Sequence, residues 1–407
     1  MKILHSADWH LGKKLSYCSR LPEQIAVLDE LVQIADEEAV DLVLIAGDLF
    51  DYFTPATEAI DLLYKSLKRL SKEGKRPVIA IAGNHDSPSF IDAPNPLARA
   101  CGIIMIGYPH AVVPMFDLPD FSITKTAPGF LEIQCSHLAY PVRLLHTAFA
   151  NEERLKTYLG EEKDKGLNEV LQQHWQENAD LYCDENGVNL LMTHLYMMPR
   201  GGALIEEPDG ERPLKIGNAD LVYTDAVPPQ IQYTALGHLH GFRNIGATQN
   251  PIVYASSPLI YSFSEAGQQK LVPIISIEPS TEAQLKKVPL NAGKPLESVC
   301  FDDIDKAVEW LQENKNALVE LTIESESYLS TNDRQRLYQV HDNIIFLVPK
   351  LKGEKLIEQT QDAKGIDLSQ STTDIFKAYF QSKNEGQEPN DEIMELFADI
   401  LQGNTKG

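Results

Sequence analysis

The chain has 407 residues, enough to bury a substantial core in two or three domains, and its 43% hydrophobic and 23% charged content is that of an ordinary globular protein. No window approaches the roughly 18 consecutive apolar residues of a membrane span and no N-terminal signal pattern is visible, so the expectation is a cytoplasmic protein with no membrane partner. The formal net charge of −23 excludes a protein that coats nucleic acid through its overall field, but not one that binds DNA through a local patch, bound cations or a basic partner.

A strand is predicted at about 2–7, ending beside Asp8-Trp9-His10. Strand side chains alternate, so positions 8 and 10 would share a side if the strand ran on. A carboxylate and an imidazole so placed point to a metal site, although a solvated turn would look similar. A helix follows from Pro22 with Ile25, Leu28, Val32 and Ala35 as its apolar face. The run 41–46 suits a strand buried on both faces. A second helix carries Ile60, Leu63, Tyr64, Leu67 and Leu70, and a third strand spans 77–82. This βαβαβ order makes an α/β fold with parallel strands, in which ligands sit beyond the carboxyl ends. Those ends carry Asp8 and His10, then Gly47-Asp48-Leu49-Phe50-Asp51, then Gly83-Asn84-His85-Asp86, with the glycines permitting a sharp exit.

Residues 110–187 give mixed strand-like pieces and an acidic, polar helical run over roughly 151–178. Regular signals return at 188–194, an apolar run ending in His194, and at 233–240, which closes on Gly237-His238-Leu239-His240. The expected organisation is a first domain over 1–280 and a small α/β unit over 285–350, with helices at 303–313 and 331–340 and strands at 317–323 and 343–348. A polar linker at 352–372 and two short amphipathic helices within 373–402 complete the chain.

The five scattered cysteines form no CxxC pair, so any metal falls to His, Asp and Asn. Asp8, His10, Asp48, Asn84, His194, His238 and His240 exceed the needs of one tetrahedral zinc, and their oxygen and imidazole mixture suits octahedral manganese, iron or magnesium-like ions. They suit a two-metal site with Asp48, from the central motif, as the shared carboxylate. Such a pair lowers the pKa of a bridging water, aims a hydroxide at phosphorus and neutralises phosphate oxygens. No GxSxG elbow offers a serine instead, and no GxxxxGK[ST] loop offers an ATP site.

In this order, DxH, GDxxD, GNHD, a strand-end His and GHxH resemble the calcineurin-like metallophosphoesterases. More closely, ILHSADWHLG, IAGDLFD, IAGNHDSP, ALGHLH and YASSPLIYSFSE are similar to their SbcD branch, over essentially the whole chain. The resemblance implies a sheet sandwich flanked by helices, a small α/β capping domain that contacts DNA, and a C-terminal helical pair. It implies Asp8, His10, Asp48 and His240 on one metal and Asp48, Asn84, His194 and His238 on the other. Manganese is the ion it implies; the ligands alone do not choose it over iron. It makes His85 the catalytic histidine at the scissile phosphate, with Asp51 orienting it. The implied activity is exonuclease action on duplex DNA ends and endonuclease action on single strands or hairpins, in repair and recombination. The implied partners are DNA and an SbcC-type coiled-coil ATPase, with this chain a homodimer inside a heterotetramer.

Lys13, Lys14 and Arg20, beside the first metal loop, are candidates to hold DNA phosphates. Ile375, Phe376, Tyr379, Phe380, Leu396, Phe397, Ile400 and Leu401 are candidates to hold the ATPase, as a helix-in-groove contact. Asp86 reads as tying its own turn. Lys65, Lys68, Arg69 and Lys72 read as an ordinary exposed helix face, and His5, His110, His137, His146, His174 and His341 lack motif partners. The competing readings are a small-substrate metallophosphoesterase and a non-catalytic architectural subunit.

Overall fold

The computed structural model describes residues 1–158, 163–203, 221–325 and 329–351, with six isolated positions between 376 and 397. The chain divides into a unit over Met1–Lys350 and a second from Leu351 onward. In the first unit, β1 (Lys2–Ser6), α1 (Leu21–Glu37), β2 (Leu42–Ala46), α2 (Thr57–Leu70), β3 (Val78–Ile81) and β4 (Ile103–Ile106) occur in that order, and the four strands run parallel. Every residue of β2 and β3 is buried, as the unbroken apolar runs require. The buried stripe of α1 is Gln24, Val27, Leu28, Leu31, Val32 and Ala35. Ile25, expected on that stripe, is 44% exposed, because the 3.6-residue period centres the face on Leu28 and Leu31 and leaves position 25 at its rim.

A second sheet begins with the antiparallel β5 (Phe121–Ala127), β6 (Phe130–Cys135) and β7 (Val142–Thr147). After α3 (Lys163–Tyr182), the strands β8 (Val188–His194), β9 (Tyr233–Gly237) and β10 (Ile252–Tyr254) extend it in parallel from β7. Then β11 (Leu271–Ser276) and β12 (Gln284–Pro289) return to the first sheet as antiparallel neighbours beside β1. Leu144, Leu190, Met192 and Ala235 pack in one core with the first sheet, whereas Leu145, Leu191 and Leu236 pack with Leu171 and Trp175 of α3. One residue in two therefore faces each way, and the second sheet is covered on both sides. The sandwich sets the carboxyl ends of β1, β2 and β3 beside those of β8 and β9.

Beyond β12 come β13 (Leu296–Phe301), α4 (Ile304–Glu313), β14 (Leu318–Ser325), α5 (Thr331–Val340) and β15 (Ile344–Leu351), forming a three-stranded sheet with its own core of Leu311, Leu321, Ile323, Leu337 and Ile344. Asp303 and Ser330 cap the two helices, each accepting main-chain N–H bonds from the first turn. Leu15, Leu296, Leu318 and Ile345 join this sheet to the loop after β1.

In the second unit, Phe376 stacks on Phe397 with ring centroids 3.9 Å apart. Phe380 lies 6.1 Å from Phe376. The expected linker at 352–372, together with Ile375, Tyr379, Leu396, Ile400 and Leu401, lies outside the described residues. Among the described residues, no helix is long and apolar enough to cross a membrane.

Candidate metal centre

β1 ends at Ser6, so Asp8 and His10 are not presented by strand alternation. Both take left-handed backbone, φ 55° and 43°, as do Asp48 at 49° and His238 at 103°. Such geometry costs on the order of 1–3 kcal/mol per residue and persists only where the surroundings over-determine it. Here they do. The N–H of Asp8 donates to Gly47 O and that of His10 to Asp48 O, both at 3.0 Å, while Asp8 Oδ1 accepts the N–H of His238 at 2.8 Å. Asp86 does more than tie its own turn. Its carboxylate accepts the N–H groups of Gly83, Leu49 and Phe50 at 2.8, 3.0 and 2.9 Å, which fixes the loop that carries Asp48.

The glycines leave room for ligands. A Cβ on Gly47 would meet His194 Nδ1 at 2.2 Å, and one on Gly83 would meet Asp48 Oδ1 at 2.1 Å. Gly47 also uses its conformational freedom, at φ 91°. The expectation of a freely turning Gly83 is corrected, since its φ is not positive and it serves by the lack of a side chain.

All seven expected ligands are buried in one basin. His194 Nε2 lies 2.9 Å from Asn84 Oδ1 and 3.3 Å from Asp48 Oδ2. His10 Nε2 lies 3.1 Å from His240 Nε2 and 3.7 Å from Asp48 Oδ2, and the rings of His194 and His238 are 5.6 Å apart. His194 Nδ1 sits 2.8 Å from Ala46 O, which turns Nε2 toward the two acidic and amide oxygens. Asp8, Asp48 and His194 each place a ligand atom within 4.8 Å of the others, and so do His10, Asp51 and His85.

The basin fits divalent cations. Asp8 Oδ2 is buried and accepts no hydrogen bond, a costly state for an anion unless a cation answers it, and Asp48 Oδ2 is buried facing the His194 and His10 imidazoles. Burial pushes the Asp8 carboxyl up to about 7. At Asp48 burial acts the same way but is outweighed by His194, His10 and His85, which hold its carboxyl far below the usual range. Burial would lower the His194 imidazole, yet Asp48 and Asp8 raise it to about 9, so a proton stands where a metal would displace it. Oxygen and imidazole donors of this kind make a divalent-metal site.

His85 N–H donates to Asp48 Oδ1 at 2.9 Å, and its Nδ1 lies 2.9 Å from the main-chain oxygen of Asp51. Asp51 therefore meets His85 through its backbone, whereas its carboxylate faces Lys13 Nζ at 3.0 Å and His10 Nδ1 at 3.5 Å. His85 lines a cleft of about 650 Å³ with Lys13, Lys14, Tyr52, Tyr261 and Phe346. Lys14 is exposed there. Arg20 is not on this surface: it is 1% exposed, bound to Glu23 at 2.6 Å and to Ile260 O at 2.7 Å, because a carboxylate three residues on buries it. Lys65, Lys68, Arg69 and Lys72 pair with Asp61, Glu73, Asp29 and Asp36.

Of the histidines without motif partners, His5 meets Tyr233 Oη at 2.8 Å, His110 meets His174 at 3.1 Å, His137 meets Asp41 at 2.8 Å and His341 meets Asn314 O at 3.1 Å. His146 is buried with neither ring nitrogen hydrogen-bonded. Sequence reasoning passed over Arg154, which clamps Gly83 O and Asp86 O at 2.8 Å each, and Glu265 with Lys270, which lie behind His240. Only Glu265 left a signal, as the last residue of the YASSPLIYSFSE segment.

Residues 1–242 match the family model of calcineurin-like phosphoesterases. The chain is 35% identical to the SbcD subunit of the SbcCD nuclease from Bacillus subtilis (strain 168), over 99% of this chain and 98% of that one. It is 29% identical to the protein of the same name from Staphylococcus epidermidis, over 98% and 99%. Among solved structures, a dimetal phosphatase from Danio rerio gives a loose likeness, with a TM-score of 0.40 and 13% identity over 72% of this chain and 99% of that one. The chain belongs to the calcineurin-like phosphoesterases and, within them, to the SbcD family of SbcCD nuclease subunits.

Proposed function

We propose that this chain is a DNA nuclease subunit that hydrolyses phosphodiesters at a two-metal centre. Asp8, His10, Asp48 and His240 would hold one ion and Asp48, Asn84, His194 and His238 the other, with manganese as the ion. The observation that carries the reading is the basin itself, with five buried imidazole and amide donors around the buried carboxylates of Asp8 and Asp48, opening beside His85 onto a cleft. Ions bound there would acidify a water for attack at phosphorus and neutralise the phosphate oxygens.

The chain's own groups do the rest. Asp48 Oδ1 holds the backbone of His85 and Asp51 O holds its Nδ1, so Nε2 hands a proton to the leaving oxygen. Lys14 and Lys13 steer phosphates into the cleft, and Tyr52 and Phe346 offer faces for bases to stack on. The reaction serves double-strand-break repair and recombination, as exonuclease action on duplex ends and endonuclease action on single strands and hairpins.

With a net charge of −23 and no P-loop, the chain draws its wider DNA-holding surface and any ATP dependence from an SbcC-type coiled-coil ATPase. The segment containing Phe376, Phe380 and Phe397 binds that partner, and the chain works as a homodimer inside a heterotetramer. All five cysteines are free thiols, which supports a cytoplasmic setting.

The test is the purified chain with manganese on hairpin DNA and on a nitrophenyl phosphate, beside His85→Ala. Hairpin cleavage is expected, falling about 10²–10⁴-fold in the variant while both ions stay bound. Cleavage of the small ester alone would favour a small-substrate phosphoesterase, and an undiminished His85→Ala would remove the catalytic role.

A further inference from the structure

We propose that Glu265 and Lys270 are positioning residues for His240, one holding its imidazole and the other its main chain. The inference rests on the reading of His240 as a metal ligand. Glu265 closes a short 3-10 turn, Phe263–Glu265, and both it and Lys270 are buried. Glu265 Oε1 lies 3.3 Å from His240 Nδ1. Its other oxygen accepts from Lys270 Nζ at 2.5 Å, and the same ammonium donates to the carbonyl oxygen of His240 at 2.7 Å. Ser256 Oγ and the N–H of Ser257 donate to that carbonyl as well, at 3.0 and 3.1 Å. Ring and backbone are thus gripped from one side, and Nε2 is left aimed into the basin, 3.1 Å from His10 Nε2.

A buried ion pair is poor evidence of stabilisation, because desolvating both charges offsets most of their attraction. Apolar side chains would fill the same space. What the pair supplies is direction and charge. A carboxylate on Nδ1 fixes the tautomer and strengthens Nε2 as a donor. Lys270, by engaging the second oxygen, keeps Glu265 from swinging inward to become a ligand itself. His194 differs: its Nδ1 faces a neutral main-chain carbonyl, Ala46 O. Loss of Glu265 should therefore weaken one ion and spare the other.

The experiment is manganese titration of the metal-free full chain by calorimetry, for wild type, Glu265→Gln, Glu265→Ala and Lys270→Met. Wild type should take up two ions. Glu265→Ala should weaken one of them about 10–100-fold and leave the other within about twofold. Glu265→Gln, which keeps an acceptor but loses the charge and the Lys270 pair, should fall between, with a metal-free melting temperature near wild type; it carries the test if the alanine variant does not fold. Equal weakening of both ions would mean a general structural role and overturn the proposal, as would wild-type affinities in both Glu265 variants. A wild type that binds no manganese would overturn it together with the metal reading on which it rests.

Discussion

The carboxylate of Asp8 accepts the main-chain N–H of His238 at 2.8 Å, so the loop after the first strand holds a loop 230 residues away. One oxygen thus serves the fold while the other, Oδ2, is buried without a hydrogen bond. Asp8→Asn keeps an acceptor for His238 and removes a carboxylate that burial disfavours. In EDTA the variant should melt a few degrees above wild type, because at Asp8 the cost of burying a carboxylate outweighs its attraction to the His194 imidazole. Manganese should raise the melting temperature of wild type strongly and of the variant little, since a ligand stabilises only what it binds. Differential scanning fluorimetry with and without metal checks both arms, and a variant that melts lower in EDTA would show that the charge is not a burden on the empty site.

Gly83 has a narrower part. An added Cβ would stand 2.1 Å from Asp48 Oδ1 and 2.4 Å from Asp48 N, and the loop carrying both is pinned by Asp86 and by the N–H of His10. With no room to yield, Gly83→Ala should cost about 3 kcal/mol. Gly241→Ala, whose nearest neighbour is Gln268 Oε1 at 3.9 Å, should stay within about 0.5 kcal/mol of wild type. Urea midpoints of the metal-free proteins separate the two.

Acid should unfold the protein partly through histidines remote from its chemistry. Burial lowers His146 from 6.5 to about 3, and His5 likewise. The folded state then binds fewer protons than the unfolded chain between about 3 and 6.5, so stability is lost as pH falls through that window. Each such group contributes about 1.4 kcal/mol per pH unit. His146→Leu, which removes a ring with no hydrogen bond to lose, should flatten the decline in melting temperature from pH 6.5 to pH 4.5 relative to wild type. Parallel curves for the two proteins would show that His146 does not titrate on unfolding.

The candidate ligands were legible as a set because each stands where an apolar run stops. Leu42–Ala46 can only be a buried strand, and the residues just past it must sit at its carboxyl end. The same logic found His194 and His238. How the ligands are aimed was not legible. The left-handed backbone of Asp8, His10, Asp48 and His238 is imposed by hydrogen bonds to segments far along the chain. Arg20 looked like a phosphate contact because, although Glu23 stands three residues on, nothing local shows that the pair is buried against Ile260, and Gly83 looked like a turn because the approach of Asp48 is tertiary. The antiparallel strands between 121 and 147 escaped for the opposite reason. In β5 alternation is broken by Lys125 and Thr126, where a register shift at Ile123–Lys125 disturbs the ladder, and in β7 the charged Arg143 sits buried on Glu132 and Asp184 between the apolar Val142 and Leu144.

The cleft in front of His85 carries the prediction about substrate. Ile345 points inward to Leu15 and Leu318, so its neighbour Phe346 faces out by strand alternation, 40% exposed, with its ring 5.8 Å from that of Phe263. Tyr52, 57% exposed, lines the same cleft. An unpaired base has a free π-face, and stacking on an aromatic side chain contributes about 1–3 kcal/mol whatever the base. Tyr52→Ala and Phe346→Ala should therefore raise KM for a single-stranded oligonucleotide about 5- to 100-fold. Turnover of bis(nitrophenyl) phosphate, which has no base, should be unchanged, because neither ring is in the metal basin. Steady-state kinetics on both substrates decide the matter. Equal losses on both would place the aromatic residues in the support of the catalytic loop, and no loss on the oligonucleotide would mean that the strand takes another path to His85.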